Sequence, residues 1–235
     1  MDTAIFGANV GFGGDLLRNI PSIREAQNLF DDLSSDPLDW DIAGAAEETH
    51  HSVAPDPVIT RPFLYGSVIS YSFESANWQS TRFSDGSRYG VWYGSLDEET
   101  TVYETAWHWY VFLGDSFPGE DREIVTERRV FNVRCDALLV DLRGRERDCP
   151  DLVSRRSYAF THQVGAYAHE QGLNGFLVQS ARCTGINAAI LGEEHLSNVR
   201  HARYLSYRAN PVRDTFAAER APGSAWLSFR PSTLG

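Results

Sequence analysis

The chain has 235 residues, of which 42% are hydrophobic and 12% aromatic, as expected for a globular protein with its own core. Its formal net charge of −11 argues against a nucleic-acid-binding surface, because such a surface needs a basic patch. No apolar run approaches the roughly 20 residues of a membrane span, and the N-terminus lacks the basic region of a signal peptide. Cys135, Cys149 and Cys183 lack metal-site spacing and predict reduced thiols in a cytoplasmic protein.

Residues 1–57 differ from the rest of the chain and predict an N-terminal helical and irregular extension. The glycine-rich residues 11–14 are expected to form a flexible turn, because no clear strand precedes them and no lysine follows. A capping box predicts a helix that begins at Pro21. His50 and His51 are adjacent, so their side chains diverge, and a third ligand is not apparent. We therefore predict no metal site in this segment.

From residue 58 the pattern changes to short apolar and aromatic runs, which predicts one domain over residues 58–235 with a C-terminal tail. Two helices are expected: one over residues 100–109 after a cap at Ser95, and one over residues 158–171 that ends at Gly172. Strands are predicted at residues 63–71, 89–93, 123–133, 137–142, 176–178 and 188–191, with a turn at 185–187.

Three side chains around the strand at residues 89–93 suggest a ligand site. Arg82 precedes that strand, Tyr93 ends it, and Glu104 lies in the helix that follows, so the three can face one cleft. A cation, an aromatic ring and a carboxylate suit a ligand with phosphates, a flat ring and a developing positive charge. A purely structural interpretation also stands, in which Arg82 pairs with an acid such as Asp85, Tyr93 belongs to the core and Glu104 is a solvated helix residue.

Ser180 follows the predicted strand at residues 176–178. A serine at the end of a strand suggests a nucleophile, but no Gly-x-Ser-x-Gly elbow surrounds it and no activating histidine can be identified. We therefore expect Ser180 to donate a hydrogen bond, either to a ligand or to the backbone of its own turn.

Together these stretches resemble the RES-domain family, which is named for its Arg, Glu and Ser. The matching stretches are RFSDG at 82–86, VWY at 91–93, ETTVYE at 99–104 and GLNGFLVQSAR at 172–182, which Asn187 continues. The resemblance covers about residues 61–196. It departs at Ser80 and Thr81, where members usually carry paired glycines, and in the longer segment between Glu104 and Ser180.

The resemblance implies an α+β fold, with an ADP-ribosyltransferase-like twisted split β-sheet core and surrounding helices. It also implies a bacterial toxin that acts on NAD as its substrate, needs no metal and has an Xre-like helix-turn-helix antitoxin as its partner. Glu104 would stabilise the oxocarbenium character of the ribose as the nicotinamide–ribose bond breaks.

The same resemblance assigns the remaining site residues to parts of NAD. Tyr93 would face the nicotinamide ring. Arg82 would hold the pyrophosphate, together with Arg61 as the extra arginine that many members carry near the first strand. Ser180 and Asn187 would complete the binding site with hydrogen bonds.

The sequence favours an NAD glycohydrolase that depletes cellular NAD, arrests growth and is neutralised by its antitoxin. One alternative is an ADP-ribosyltransferase that modifies a cellular protein, and another is a non-catalytic nucleotide-binding module. Hydrolysis, phosphorolysis and transfer share the cleavage step and differ only in the acceptor, so the sequence leaves them open. A homo-oligomer and a docking role for residues 1–57 also stay open.

Overall fold

A computed structural model describes residues 3–22 and 67–235. Its eight strands form one mixed sheet: β1 (Asn9–Pro21), β2 (Trp92–Ser95), β3 (Ile124–Asp141), β4 (Gly175–Gln179), β5 (Ile186–Ile190), β6 (Leu196–Asn210), β7 (Thr215–Ala221) and β8 (Ser224–Phe229). The α-helices of the described ranges are α1 (Ser67–Ser70), α2 (Glu98–Ser116) and α3 (Ala159–Glu170). Short 3₁₀ turns lie between several of these elements.

The long strand β3 divides the sheet into two halves. Along one edge β3 pairs with β1, and along the other it pairs first with β6 and then, at Val140 and Asp141, with β4. A single pairing between Leu17 and Ser95 joins β1 to β2, so β1, β3, β4, β5 and β2 close into a ring. Strands β6, β7 and β8 extend from β3 as the second half. The prediction of an α+β fold with a split sheet is confirmed.

Three apolar clusters hold these halves and the two long helices together. One lies between α3 and the outer face of the ring and contains Phe176 and Val178, while Leu177 faces the second cluster inside the ring. This alternation places one face of β4 against each cluster. The third cluster packs Val102 of α2 against β6 and β7, including Tyr207. The packing fixes α2 and the end of β4 relative to each other.

Helix α2 begins where a side chain satisfies its first free N–H groups. The cap is Asp97, whose carboxylate accepts a hydrogen bond from the Thr100 N–H at 2.8 Å, so the predicted cap at Ser95 is wrong by two residues. Ser95 instead ends β2. The helix continues past the predicted end at residue 109 to Ser116, because no proline interrupts it before Pro118.

The described part of the opening segment is a strand of the sheet. Residues 11–14, which the sequence predicts to be a flexible turn, lie inside β1 and pair with β3. Long-range pairing here overrides the low strand propensity of glycine. Pro21, predicted to begin a helix, is the last residue of β1. The remainder of that helix, the two adjacent histidines and the boundary at residues 57 and 58 lie outside the described residues.

Other boundaries also differ from the sequence predictions. Residues 67–70 form α1 and not a strand, and residues 63–66 lie outside the described ranges. The two strands predicted within 123–142 are the single strand β3, because residues 128–140 pair without interruption with β1. Asn187 belongs to β5 and not to a turn. The predicted C-terminal tail contains β6, β7 and β8.

Two elements match their predictions closely. Strand β4 contains the predicted run at residues 176–178 and ends directly before Ser180. Helix α3 corresponds to the helix predicted over residues 158–171, and Gly172 follows with φ +66°, the left-handed conformation that commonly ends a helix. None of the helices in the described ranges is long and apolar enough to cross a membrane.

Candidate functional site

A cavity of about 220 Å³ opens beside α2, with walls from β1, β2, β5 and the segment after β4. Its charged lining comprises three guanidinium groups and one carboxylate, those of Arg18, Arg82, Arg182 and Glu104. The cavity is therefore locally positive in a chain whose net charge is −11. Such a field favours a ligand that carries anionic groups.

Glu104 lies on α2, and one of its two oxygens is held by side chains from the sheet. Its Oε1 accepts hydrogen bonds from the Ser180 hydroxyl at 2.6 Å and from the Asn187 amide at 2.7 Å. The Ser95 hydroxyl donates to Asn187 Oδ1 at 2.7 Å, which orients the Asn187 NH₂ group toward Glu104. Oε2 accepts no hydrogen bond from any described residue. The carboxylate is therefore fixed through one oxygen, while the other has no donor among the described residues.

Ser180 is oriented by the turn that follows β4. Its Oγ accepts hydrogen bonds from the N–H groups of Arg182 at 2.9 Å and Cys183 at 3.2 Å, and its own N–H donates to the Gly185 carbonyl at 2.8 Å. The hydroxyl proton then points to Glu104. The predicted role as a donor holds in the geometry, but the partner is this carboxylate and not the backbone of the turn.

Arg82 connects the segment before β2 to the end of β4. Its guanidinium donates twice to the Leu152 carbonyl, with the Nε bond at 3.0 Å, and once to the Gln179 carbonyl at 2.9 Å. Burial lowers the pKa of Arg82, and the nearby Glu104 opposes that shift. The alternative pairing with Asp85 is wrong, because the Asp85 carboxylate binds the N–H and hydroxyl of Ser87. The other two of the five N–H donors of Arg82 have no acceptor among the described residues.

Tyr93 presents its ring to the cavity, while its hydroxyl is occupied by protein groups. The hydroxyl accepts a hydrogen bond from the Phe83 N–H at 2.9 Å and donates to Thr81 Oγ1 at 3.1 Å. Burial raises the pKa of Tyr93 to about 12, so the phenol stays protonated at neutral pH. The ring can therefore contact a ligand, and the hydroxyl fixes its position.

Arg18 lines the cavity as well, although no sequence motif indicates it. This β1 side chain donates to the Tyr93 carbonyl at 2.7 Å and to the Ser72 hydroxyl at 3.2 Å, and its Nε is buried with no hydrogen-bond partner among the described residues. Burial, reinforced by Arg128, lowers the pKa of Arg18 to about 10. Arg61, which the resemblance favoured as the extra arginine, lies outside the described residues. The position of Arg18 in the cavity wall follows only from the pairing of β1 with β3.

The helix spacing could have identified three further cavity residues. Thr101, Thr105 and His108 line the cavity with Glu104, and positions 101, 104, 105 and 108 share one face of a helix. Behind this face, Asn19 donates to the Tyr207 hydroxyl at 2.7 Å, and that hydroxyl shares a hydrogen bond with Thr105 Oγ1 of α2 at 2.9 Å. The cavity therefore has a hydrogen-bonded polar floor that joins α2 to the sheet.

In residues 3–22 and 67–235 no group of three or more His, Cys, Asp and Glu side chains could hold a metal ion. The expectation that no metal takes part stays a prediction.

The fold and the cavity together define an α+β protein with a cavity that combines one fixed carboxylate with several guanidinium groups. The model of the RES domain matches residues 58–210, well over half of the chain, and the chain therefore belongs to the RES-domain family. The resemblance found in the sequence is confirmed.

A solved structure provides a second comparison. The chain is similar to a structure described as the crystal structure of the M. tuberculosis MbcT–MbcA toxin–antitoxin complex, with 12% sequence identity and a TM-score of 0.48. The match covers 90% of this chain and 95% of that one. No curated protein sequence matches the chain.

Proposed function

We propose that this protein is a bacterial toxin that cleaves the nicotinamide–ribose bond of NAD, depletes cellular NAD and thereby arrests growth. The observation that carries the proposal is the Glu104 carboxylate, held through Oε1 by Ser180 and Asn187 with Oε2 left in a cavity lined by guanidinium groups. Membership of the RES-domain family supports NAD as the substrate.

The chemistry requires a negative charge near the ribose. As the bond to nicotinamide breaks, positive charge spreads over C1′ and the ring oxygen. A carboxylate already fixed in place stabilises that charge more in the transition state than in the ground state and needs no reorganisation. Nicotinamide leaves as a neutral molecule from a cationic precursor, so the reaction does not depend on a strong general acid.

The cavity dimensions and charges suit one end of the dinucleotide. About 220 Å³ is less than the roughly 300–1,000 Å³ of sites that enclose a whole drug-sized ligand, so we place the nicotinamide and its ribose inside. The Tyr93 ring would contact the nicotinamide. Arg82 and Arg18 would donate to the pyrophosphate. A contribution from Arg61 stays a prediction.

We also propose a cognate antitoxin of the Xre-like helix-turn-helix type, as is usual for the family, and action in the cytoplasm, where NAD would be depleted. Production of the protein alone should stop bacterial growth, and production together with the protein encoded by an adjacent helix-turn-helix reading frame should restore it. Growth arrest that persists in the presence of every adjacent gene product would count against such an antitoxin.

The decisive experiment is incubation of the purified protein with NAD, with free nicotinamide followed by chromatography. Glu104→Gln keeps an amide oxygen that can accept from Ser180 and Asn187, so the fold should persist while the rate falls by about 10²–10³. Glu99→Gln, an exposed change on the same helix, is the matched control and should leave the rate unchanged.

The products separate the alternatives. Free ADP-ribose beside nicotinamide identifies hydrolysis, ADP-ribose 1-phosphate identifies phosphorolysis, and a modified protein identifies transfer. Bound NAD without release of nicotinamide would favour a binding module. Full activity of the Glu104→Gln protein would overturn the proposed role of the carboxylate.

A further inference from the structure

His108 is a second titratable side chain on the cavity face of α2. It lies one helical turn after Glu104, and both side chains line the cavity. Residues at positions i and i+4 of a helix have Cβ atoms about 5–6 Å apart, so the imidazole lies beside the carboxylate. The side chain is exposed and forms no hydrogen bond with the described residues, so its ring nitrogens are available to a substrate.

The groups around His108 favour its neutral form. The charged groups that face it are Glu104 on its own helix, Arg182 after β4 and Arg128 on β3. Although the ring is open to the cavity, desolvation by the surrounding protein is the largest influence and lowers its pKa; Glu104 opposes this shift, and the two arginines reinforce it. A neutral imidazole can accept a proton.

Hydrolysis needs such an acceptor, and the other site residues are committed elsewhere. Glu104 has two donors on Oε1, and its Oε2 is assigned to the cationic ribose. The Ser180 hydroxyl donates to Glu104, and its oxygen accepts from two backbone N–H groups. The Tyr93 hydroxyl is likewise occupied by Phe83 and Thr81.

We propose that His108 is the general base that activates the attacking water, an inference that rests on the proposed cleavage of NAD. The C1′–N bond breaks and its electron pair leaves with neutral nicotinamide, while the water oxygen forms the new bond to C1′. One proton of that water passes to the imidazole and then to solvent. The products are nicotinamide, ADP-ribose and one proton, so atoms and charge balance.

The test compares wild type with His108→Gln and His108→Asn in nicotinamide release from about pH 5 to about pH 8. Wild type should lose activity toward acid pH as the imidazole becomes protonated. The variants should be slower by about a hundredfold near neutral pH and should lack that acid limb. His195→Gln, which lies outside the cavity lining, is the matched control and should keep the wild-type rate and profile. Thermal melting of each variant checks that the fold is retained.

Azide separates general-base catalysis from a structural role. It is an anionic nucleophile with no proton to lose, so it should restore nicotinamide release by the His108 variants and yield ADP-ribosyl azide. Wild-type rate and pH profile in both variants would overturn the role of His108 but leave the cleavage proposal intact. A slower variant with an unchanged profile and no response to azide would overturn it in favour of a structural role. Wild type that releases no nicotinamide would overturn both proposals.

Discussion

The Ser180 hydroxyl lies 2.6 Å from Glu104 Oε1, although the two residues are 76 positions apart in the chain. They meet because β5 pairs with both β2 and β4, which brings the end of β4 to the start of α2. The hydrogen bond has a charged acceptor, a class that contributes about 1.5–3 kcal/mol. The catalytic carboxylate of the proposed mechanism is thus held in place by the sheet.

Replacement of Asn187 tests this arrangement. Asn187→Asp would place a second carboxylate where a donor now lies 2.7 Å from Glu104 Oε1, so repulsion replaces a hydrogen bond. We expect nicotinamide release to fall by at least about tenfold, the change that corresponds to the loss of 1.4 kcal/mol. Asn174→Asp, a change at a half-buried residue outside the cavity lining, should have no such effect. Equal rates for the two variants would show that Asn187 does not position the carboxylate.

Arg18 provides a test of ligand binding. Arg18→Gln removes a cavity guanidinium whose Nε has no partner among the described residues. If that group contacts the pyrophosphate, the KM for NAD should rise by about tenfold or more while the fold persists, since a hydrogen bond to a charged group contributes about 1.5–3 kcal/mol. Steady-state kinetics on wild type, Arg18→Gln and Arg61→Gln decide which arginine matters. A larger rise in KM for Arg61→Gln would favour the original prediction.

Alanine substitutions at two helical glycines should have opposite effects on the free energy of unfolding. A Cβ at Gly165 in α3 would lie 1.9 Å from the Phe83 carbonyl oxygen, whereas a Cβ at Gly114 in α2 would meet nothing within 4 Å. Gly165→Ala should therefore lower the free energy of unfolding by about 1–3 kcal/mol or more through overpacking. Gly114→Ala should raise it by about 0.5–1 kcal/mol through helix propensity. Urea unfolding measures both, and equal effects would contradict the close contact between α3 and Phe83.

The thiol of Cys135 should make the stability of the protein depend on pH. It is fully buried inside the ring, and burial raises its pKa from the ordinary value of 9.0 to about 11. Below about pH 9 the thiol is protonated in both the folded and the unfolded protein. Between about pH 9 and about pH 11 only the unfolded protein loses the thiol proton. The contribution of Cys135 to stability should therefore be lost as the pH rises from about 9 to about 11.

Urea unfolding across that range measures the effect, with Cys135→Ala as the comparison. The difference in unfolding free energy between wild type and variant should shrink as the pH rises. A difference that stays constant would contradict the raised pKa. At about pH 8, thiol reagents should spare Cys135 in the folded protein, because reaction requires an accessible thiolate.

The sequence located most of the candidate site because the relevant signals are local. Arg82, Tyr93 and Glu104 lie within one strand–helix unit, and Ser180 ends a short apolar run. His108 lies four residues after Glu104 on the same helix, so the spacing of helix positions could have indicated it too, and that signal is also local. Their meeting in one cleft was inferred from residue chemistry and the family resemblance, and the geometry places Arg82, Tyr93, Glu104 and Asn187 in the cavity lining.

Arg18 could not be found in this way, because its place depends on the pairing between β1 and β3. A glycine-rich run such as residues 11–14 has weak strand propensity, and the partner strand lies far along the chain. The same reason explains why β6, β7 and β8 were predicted only as a tail. Their strands are stabilised by contacts with distant elements and carry weak local signals.

The sequence by itself determined the family and, through that resemblance, the α+β class, because motif spacing and short apolar runs act over a few residues. It also singled out Glu104 as the candidate carboxylate. The tertiary structure alone decided that β1 belongs to the sheet and that Arg18 reaches the cavity. It also decided that one oxygen of Glu104 is bound by Ser180 and Asn187 while the other has no donor among the described residues. Those features depend on strand pairing and side-chain packing between distant segments, and the free energy of such contacts is not encoded in any local pattern.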